Sequence, residues 1–596
     1  MRKFRPTMVA GALALAFCAS TASAQFTNTY IFGDSLSDAG QYGSRFTTNP
    51  GLVTPQYVGQ AFGLPAATPS FQGGNDFAQG GAMVNAQSPL VPPGVPNISI
   101  TQQVNAFLPN VIPNRGALYQ IQGGANDIFV LAATNPSGAQ AGTVQAAVDL
   151  ATAVGKLKAA GAQYVIVQNL PDLGKTPSAA SQGAAAQAAL SGLSGLFNST
   201  LNTAIGAAGL QVIQFNTNAL FNEIIANPSL YGFGNTTGTA CTVPSSLNCT
   251  PSTLVAPNAN MDYVFADGVH PTTGAVLLQT QAIVSMITGP QQMVALGEAP
   301  FDIQRAQWRT LDSRMMSGIN GPPQSGKFQA WAAYDYANPD VFGPGLSGNG
   351  DLNTISVGGD MRVTDRMLAG LQFSYSEYKG DFGGGTGDFK VREPNLTAYV
   401  GYGDGPWYVG ATLGLGSLDV DSTRNIQLGA TTRSETGSTN GYHNVVRLLG
   451  GYWFTYRDFN HGPFAKLTYE KIVVRQFSER GSDSTALTYE QQSQDPVWAS
   501  LGYQVAGTVS GFRPFARATW EYNFNSEDNR QVTARSNTLN GTYTVPGFKQ
   551  DDSWWLFDVG VSKELGKVTG FVSGNVSAGK DDGDYWAITV GIRVPL

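Results

Sequence analysis

Histidine, cysteine and charge are all scarce in this chain. Of 596 residues three are histidine and three are cysteine, and charged residues make up 13%, about half the usual share for a soluble protein. So few potential ligands exclude a clustered structural metal site. No basic stripe accompanies the net charge of −7, which excludes nucleic acid as a partner. No apolar run reaches the roughly 18 residues that a spanning helix needs. No serine between 25 and 300 lies in Gly-x-Ser-x-Gly, so the strained nucleophile elbow of the α/β-hydrolases is excluded. Tryptophan is absent before Trp308, and residues 25–300 hold only Arg45, Arg115, Lys156, Lys158 and Lys175 as basic residues. Such a composition break marks two regions with different surroundings, and the length calls for at least two domains.

What is present begins with an export signal over residues 1–24. Arg2, Lys3 and Arg5 precede an apolar run from Met8 to Ala19, and Ala22-Ser23-Ala24 offers a cleavage site before Gln25. Cys18 is discarded with it. Cys241 and Cys249 remain, close together in a Gly/Thr/Ser/Asn-rich loop, and in an exported chain they are expected to form one disulfide. Closing so short a loop contributes roughly 2–3 kcal/mol.

Residues 25–290 alternate strand-like and helix-like segments, the pattern of an α/β layer fold with a parallel sheet. Strands are expected at Thr27–Phe32, Ala117–Gln122, Tyr164–Asn169 and Gln211–Phe215, with helices at Thr143–Ala160 and Ala179–Ala207. The first strand runs into Gly33-Asp34-Ser35-Leu36, a turn that leaves one hydroxyl at the sheet's carboxyl edge. Alone, such a serine is more often a turn or cap residue. A base is needed to activate it, and His270 is the one histidine in this half of the chain. Asp267, three residues earlier, can curl back to hold Nδ1–H, leaving Nε2 for the Ser35 proton. An oxyanion needs pre-positioned donors. Candidates are the Asn126 amide in Gly124-Ala125-Asn126-Asp127, the backbone of Gly80-Gly81, and the Ser35 N–H. Asp127 is taken as structural.

These blocks resemble the GDSL lipases and esterases of the SGNH-hydrolase superfamily: Gly33-Asp34-Ser35-Leu36, a glycine in the second block, Gly124-Ala125-Asn126-Asp127, and Asp267-Gly268-Val269-His270 last. The resemblance covers residues 30–272 in the family's order. It implies a three-layer α/β/α sandwich, Ser35 as nucleophile, His270 as general base and acid, and Asp267 as orienting carboxylate. Gly81 and Asn126 would complete the oxyanion hole with the Ser35 N–H. Two departures stand. Asp76 occupies a second-block position where asparagine is common, which leaves the choice between Gly80 and Gly81 open. The asparagine often found shortly after the first block is also absent.

Residues 291–325 read as a linker helix, with Arg305, Arg309 and Arg314 on a polar background and Gly318 and Gly321-Pro322-Pro323 ending it. From 326 to 596 the period changes to two. Trp586, Ile588, Val590, Ile592 and Val594 share one face of a strand; Trp407, Val409, Ala411, Leu413 and Leu415 share one face of another. Apolar-out, small-or-polar-in strands with terminal aromatics signal an outer-membrane barrel. A soluble β-sandwich also alternates, but here long connections (337–350, 380–389, 421–439, 525–551) mostly alternate with short ones (364–366, 404–405, 563–567). About twelve antiparallel transmembrane strands are expected, one of them spanning 485–506.

A secreted hydrolase, a connecting helix and such a barrel together resemble autotransporter esterases. The resemblance implies a helix threading the barrel, its arginines facing a polar lumen, and an enzyme displayed at the cell surface. It further implies an acyl-ester or lipid substrate, outer-membrane lipid around the barrel, help from the barrel-assembly machinery, a monomer, and no cofactor or metal. The chain ends Val594-Pro595-Leu596 where many such barrels end in Phe or Trp. Rival readings are a lysophospholipase or acyltransferase, a catalytically inactive surface-binding passenger, and a porin-like channel.

Overall fold

The computed structural model describes residues 25–319, 328–343, 346–525, 530–547, 550–580, 583 and 585–596. The export signal expected over residues 1–24 and the Gly321-Pro322-Pro323 stop lie outside them.

Four short strands, β1 (Thr29–Phe32), β2 (Leu118–Ile121), β3 (Tyr164–Gln168) and β4 (Ile213–Phe215), form a parallel sheet in that order. Their period of two divides the side chains between two cores. Tyr30, Phe32, Tyr119, Ile121, Val165 and Val167 cluster with the helices Ile100–Phe107, Ala139–Ala160 and Ala184–Ala207. Leu118, Ile166 and Phe215 cluster with the helix Thr54–Ala61 and with a long helix that begins at Thr273. Covering both faces is what a parallel sheet requires, and the result is an α/β/α sandwich. The helix expected over Ala179–Ala207 is interrupted at Gly183, whose φ of +90° separates Pro177–Ser181 from Ala184–Ala207.

The second region is a closed antiparallel barrel of twelve strands: Phe328–Gly343, Leu346–Arg362, Met367–Asp381, Gly387–Asp404, Trp407–Leu428, Thr431–Tyr452, Phe459–Val474, Val497–Gly507, Phe512–Asn523, Ser553–Leu565, Val568–Ala578 and Tyr585–Pro595. The first strand pairs with the last, from Gln329 opposite Pro595 to Pro339 opposite Tyr585, so no edge is left open. Trp586, Ile588, Val590 and Ile592 are exposed and Ala587 and Thr589 buried, the outside-apolar pattern of a lipid-facing barrel. Among the described residues no helix is long and apolar enough to cross a membrane; the crossing is made by strands.

The connections differ from expectation. Most of 337–350 and 421–439 and half of 380–389 is strand, and the Trp407–Leu428 and Thr431–Tyr452 strands meet across residues 429–430 alone. Each spans 22 residues, about 70 Å at ~3.3 Å per residue, far beyond the roughly 10 residues that cross a bilayer. Their Thr- and Ser-rich outer halves favour the pleat as much as the apolar inner halves do, so composition reads as loop where the ladder simply continues. The strand expected over 485–506 is three pieces, Leu487–Tyr489, Gln492–Gln494 and Val497–Gly507. The loop expected over 525–551 contains strands Thr533–Ser536 and Thr542–Thr544. Together with Phe477–Ser478 and Leu487–Tyr489 they form a small four-stranded sheet at the barrel rim.

One helix, Thr273–Ile319, joins the two halves without a break at residue 290, where the sequence suggested the change. At ~1.5 Å per residue its 47 residues extend about 70 Å. Pro290 and Pro300 lie inside it. A proline normally ends a helix because it orphans the carbonyl four residues back. Here the orphan of Pro290, the Met286 carbonyl, accepts the Tyr543 hydroxyl from the rim sheet at 2.6 Å. Arg424 donates to the Ser285 carbonyl at 3.2 Å and Gln492 to the Met293 carbonyl at 2.8 Å. Further along, Arg309 pairs with Asp335 of the barrel wall at 3.1 Å and Arg314 with Asp360 at 2.7 Å, while Asp312 receives Arg447 and Lys466 at 2.8 and 3.0 Å. Arg305 pairs within the helix with Asp302 at 2.9 Å and lies against the Trp498 and Trp554 rings.

The rim also meets the sandwich. Thr542 bridges to Gln211 just before β4, and the Gly541 N–H donates to the Gln214 side chain at 3.0 Å. Glu223 accepts Arg433 at 2.7 Å and the hydroxyls of Ser482 and Ser484 at 2.8 and 2.7 Å.

Candidate active site

The turn after β1 is held from beneath by two amides. Gln103 accepts the Gly33 N–H at 2.9 Å and donates back to the Gly33 carbonyl at 3.0 Å, as a neighbouring strand would. Gln122, just past β2, donates to Asp34, whose Oδ1 also accepts the Leu36 N–H at 3.1 Å. Asp34 is buried, which pushes its carboxyl above the usual range. Ser35, at the apex, keeps 8% of its surface exposed, enough for a hydroxyl at the floor of a cleft.

His270 reaches Ser35 from the segment after strand Tyr263–Phe265, its Nε2 lying 2.9 Å from Ser35 Oγ. Asp267 places both carboxylate oxygens 2.9 Å from His270 Nδ1. Three backbone N–H groups also donate to this carboxylate: Val269 at 3.0 Å, His270 at 2.9 Å and Ser246 at 2.7 Å. Burial alone would raise its pKa, but the His270 hydrogen bond and charge, with the N–H groups of Val269 and His270, outweigh burial and hold it below the usual carboxylate range. Asp267 therefore stays ionised at any ordinary pH.

Ser246 lies in the loop closed by the Cys241–Cys249 disulfide, whose Cα atoms are 5.7 Å apart. Asn49 pins the same loop by donating to the Ser246 carbonyl at 3.0 Å and, through its backbone, to Cys249 at 3.0 Å. This support for Asp267 is invisible in the sequence, because a backbone donor has no residue-type signature.

Asn126 opens the helix Ala125–Thr134 and donates to the Ala82 carbonyl at 2.9 Å, which aims its amide beside Gly81. Gly81 has a φ of +78°, and a Cβ there would meet Val91 at 2.7 Å, so only glycine fits. The two glycines differ in their donors. The Gly80 N–H is already given to Asp38 at 2.8 Å, whereas those of Gly81 and Ser35 have no acceptor among the described residues. Asp38 itself is buried, accepts Gly40 and Gln41 as well, and is pushed above the usual carboxylate range by burial. Asp76 is fully buried and takes the N–H groups of Ala39 at 2.7 Å and Ala78 at 2.8 Å, tying the first block to the second. Burial first, then the charge of Asp38, pushes its carboxyl well up. Asp127 accepts the Val84 N–H at 3.0 Å and does not touch the triad.

Among the described residues no group of three His, Cys, Asp or Glu side chains converges as a metal site. Ser35, Asp267, His270, Gly81 and Asn126 are brought together from four separate parts of the chain, and the supports from Gln103, Gln122, Asp38 and Ser246 are new to the structure.

Residues 30–283 match the model of the GDSL-like lipase/acylhydrolase family, and residues 330–593 match the autotransporter beta-domain. An uncharacterised protein of the trpE–trpG intergenic region of Pseudomonas putida is 30% identical over 89% of this chain and 94% of its own length. Esterase EstA of Pseudomonas aeruginosa is 28% identical over 97% of both chains, and Lipase 1 of Photorhabdus luminescens is 26% identical over 96% of both. With a hydrolase-family match over its sandwich, an autotransporter match over its barrel and relatives aligned over nearly their full lengths, the chain belongs to the GDSL-like lipases and acylhydrolases borne on an autotransporter beta-domain.

Proposed function

We propose that this chain is a cell-surface carboxylic ester hydrolase that works through Ser35, His270 and Asp267. Its autotransporter barrel sits in the outer membrane and displays the hydrolase outside. The single observation that carries the mechanism is the run of 2.9 Å contacts from Ser35 Oγ through the imidazole to Asp267. Ser35 attacks the ester carbonyl as His270 Nε2 takes its proton. The negative oxygen is met by the N–H groups of Ser35 and Gly81 and by the Asn126 amide. The choice of Gly81 is supported by the prior commitment of the Gly80 N–H to Asp38. His270 then returns its proton to the departing alcohol, and a water activated by the same nitrogen clears the acyl-enzyme. Asp267 keeps the tautomer and offsets the imidazolium charge. None of these steps calls on a cofactor.

The domain plan consistent with this is a signal over 1–24, a hydrolase over 25–290, a linker over 291–325 whose described part, to Ile319, prolongs a hydrolase helix into the lumen, and a barrel over 326–596. A closed ring without free strand edges supports a monomer, and assembly by the barrel-insertion machinery follows from the barrel type. A lumen filled by Trp308, Leu311 and Met315 packed on Tyr399, Tyr408 and Leu449 argues against an open channel. In the test, Ser35→Ala cells turn over chromogenic acyl esters slower by on the order of 10⁴-fold or more. Undiminished turnover in that variant overturns the mechanism. Adding an alcohol acceptor separates hydrolysis from acyl transfer by product analysis.

A further inference from the structure

The space over Ser35 is bordered by two apolar surfaces that the triad chemistry does not use. On one side Phe46 lies against the His270 ring, centroids 4.9 Å apart, and the same ring abuts Gly80, where an added Cβ would fall 2.3 Å from it. Phe46 thus touches both the imidazole and the residue preceding Gly81. On the other side is the segment Ser88–Asn97, stiffened by Pro89, Pro92, Pro93 and Pro96. Val91 closes on Gly81, and Leu90 lies beside the same point at 3.9 Å while 51% of its surface stays exposed. Tyr42 joins the two sides: its ring packs edge-on to Phe46, and its hydroxyl donates to the Pro96 carbonyl at 3.2 Å. Asn97 adds a bond to the Gly80 carbonyl at 3.0 Å. From Phe77 to Asn114 the chain carries no charged side chain and no histidine.

Acyl-transfer geometry tells the two sides apart. The leaving oxygen must come within hydrogen-bond reach of His270 Nε2 to receive its proton, so the alcohol portion lies beside the imidazole. The carbonyl oxygen sits in the hole, and the remaining substituent, the acyl chain, leaves on the side away from the imidazole. We propose that Phe46 forms the alcohol subsite and Leu90 with Val91 the acyl subsite, and that the substrates are neutral esters apolar on both sides of the bond. The assignment rests on the Ser35–His270 reading and deepens it. The Phe46 ring against the imidazole favours aryl or bulky alkyl alcohols over a charged headgroup, because an unpaired charge placed against an apolar ring is costly.

The experiment measures ratios on the full-length protein in outer-membrane preparations, with active enzyme counted by titration with a phosphonate ester. Phenyl acetate against ethyl acetate varies the alcohol; phenyl octanoate against phenyl acetate varies the chain. Phe46→Ala should lower the phenyl/ethyl ratio of kcat/KM about tenfold and leave the octanoate/acetate ratio unchanged, the size expected for lost apolar contact. Leu90→Ser should do the reverse, by about tenfold. Phe46→Tyr should keep the phenyl preference, and Phe46→Leu, which leaves less of a void, should fall between. If neither ratio moves, or either variant moves both equally, the two-subsite assignment is overturned. A Ser35→Ala variant that kept its turnover would overturn instead the reading beneath it.

Discussion

Asn126 and Asp127 are neighbours with opposite fates. Asn126 aims one amide hydrogen at the Ala82 carbonyl; if the other meets the oxyanion as proposed, Asn126→Ala should lower kcat by about 10²–10³-fold with KM little changed. A matching rise in KM alone would assign it to ground-state binding. Asp127 is buried in the first turn of its helix, and burial raises its pKa to about 7. The sign follows from proton counting. Between roughly pH 4 and 7 the unfolded chain ionises this carboxyl while the fold keeps it protonated, so its contribution is fully present below the unfolded value and lost as pH rises through 7. Hydrogen-exchange protection of the helix Ala125–Thr134 should therefore fall between roughly pH 4 and 7 and level off above. In Asp127→Asn, which still accepts the Val84 N–H, protection should stay flat; an identical slope in both proteins would remove Asp127 as the cause.

Among the elements, the disulfide loop and the long helix each serve the catalytic turn from outside it. Cys241 and Cys249 close the loop that presents the Ser246 N–H to Asp267. Replacing both by serine should cost roughly 2–3 kcal/mol, read as esterase activity lost at lower urea. It should also lower kcat several-fold, since one of the carboxylate's three N–H donors is no longer held in place. Unaltered urea resistance and kcat would mean the staple is idle. The helix begins at Thr273, three residues after His270, and continues into the barrel through Pro290. It survives that proline because Tyr543 takes the Met286 carbonyl. Tyr543→Phe leaves the carbonyl buried and unmet, a loss of about 1–3 kcal/mol. It should appear as faster exchange around Pro290, with residues 305–315 unaffected because Asp335 and Asp360 hold them separately.

For the whole molecule the rim is the junction that decides how the enzyme is carried. Its small sheet covers the edge of the sandwich beside β4, an edge that would otherwise invite pairing with other chains. Glu223 is held by one arginine and two hydroxyls of the rim. Arg433→Glu sets two carboxylates face to face, so added protease should trim the hydrolase from intact cells faster, more so at low salt where repulsion is less screened. The reciprocal change Glu223→Arg should restore resistance. If the single variant trims at the parental rate, the rim contact does not hold the domain.

Much of this protein follows from its sequence alone. Gly33-Asp34-Ser35 at a strand end, one histidine in the first half and Asp267 three residues before it were enough to nominate the triad, because catalytic side chains must be particular residue types. The period-two pattern from residue 326 onward, read with its alternating long and short connections, pointed to a twelve-stranded barrel, since lipid and lumen impose that period strand by strand. What only the tertiary structure decided depends on backbone groups and on distant partners. Gly80 and Gly81 are alike as letters and differ in that Asp38 consumes one N–H. Ser246 supports Asp267 through an amide that any residue possesses. Pro290 looks like a stop until Tyr543, more than two hundred residues away, supplies the missing hydrogen bond. The hairpins rise past the membrane as strands because ladder hydrogen bonds continue wherever a partner strand stays in register, a condition set by pairing and not by composition.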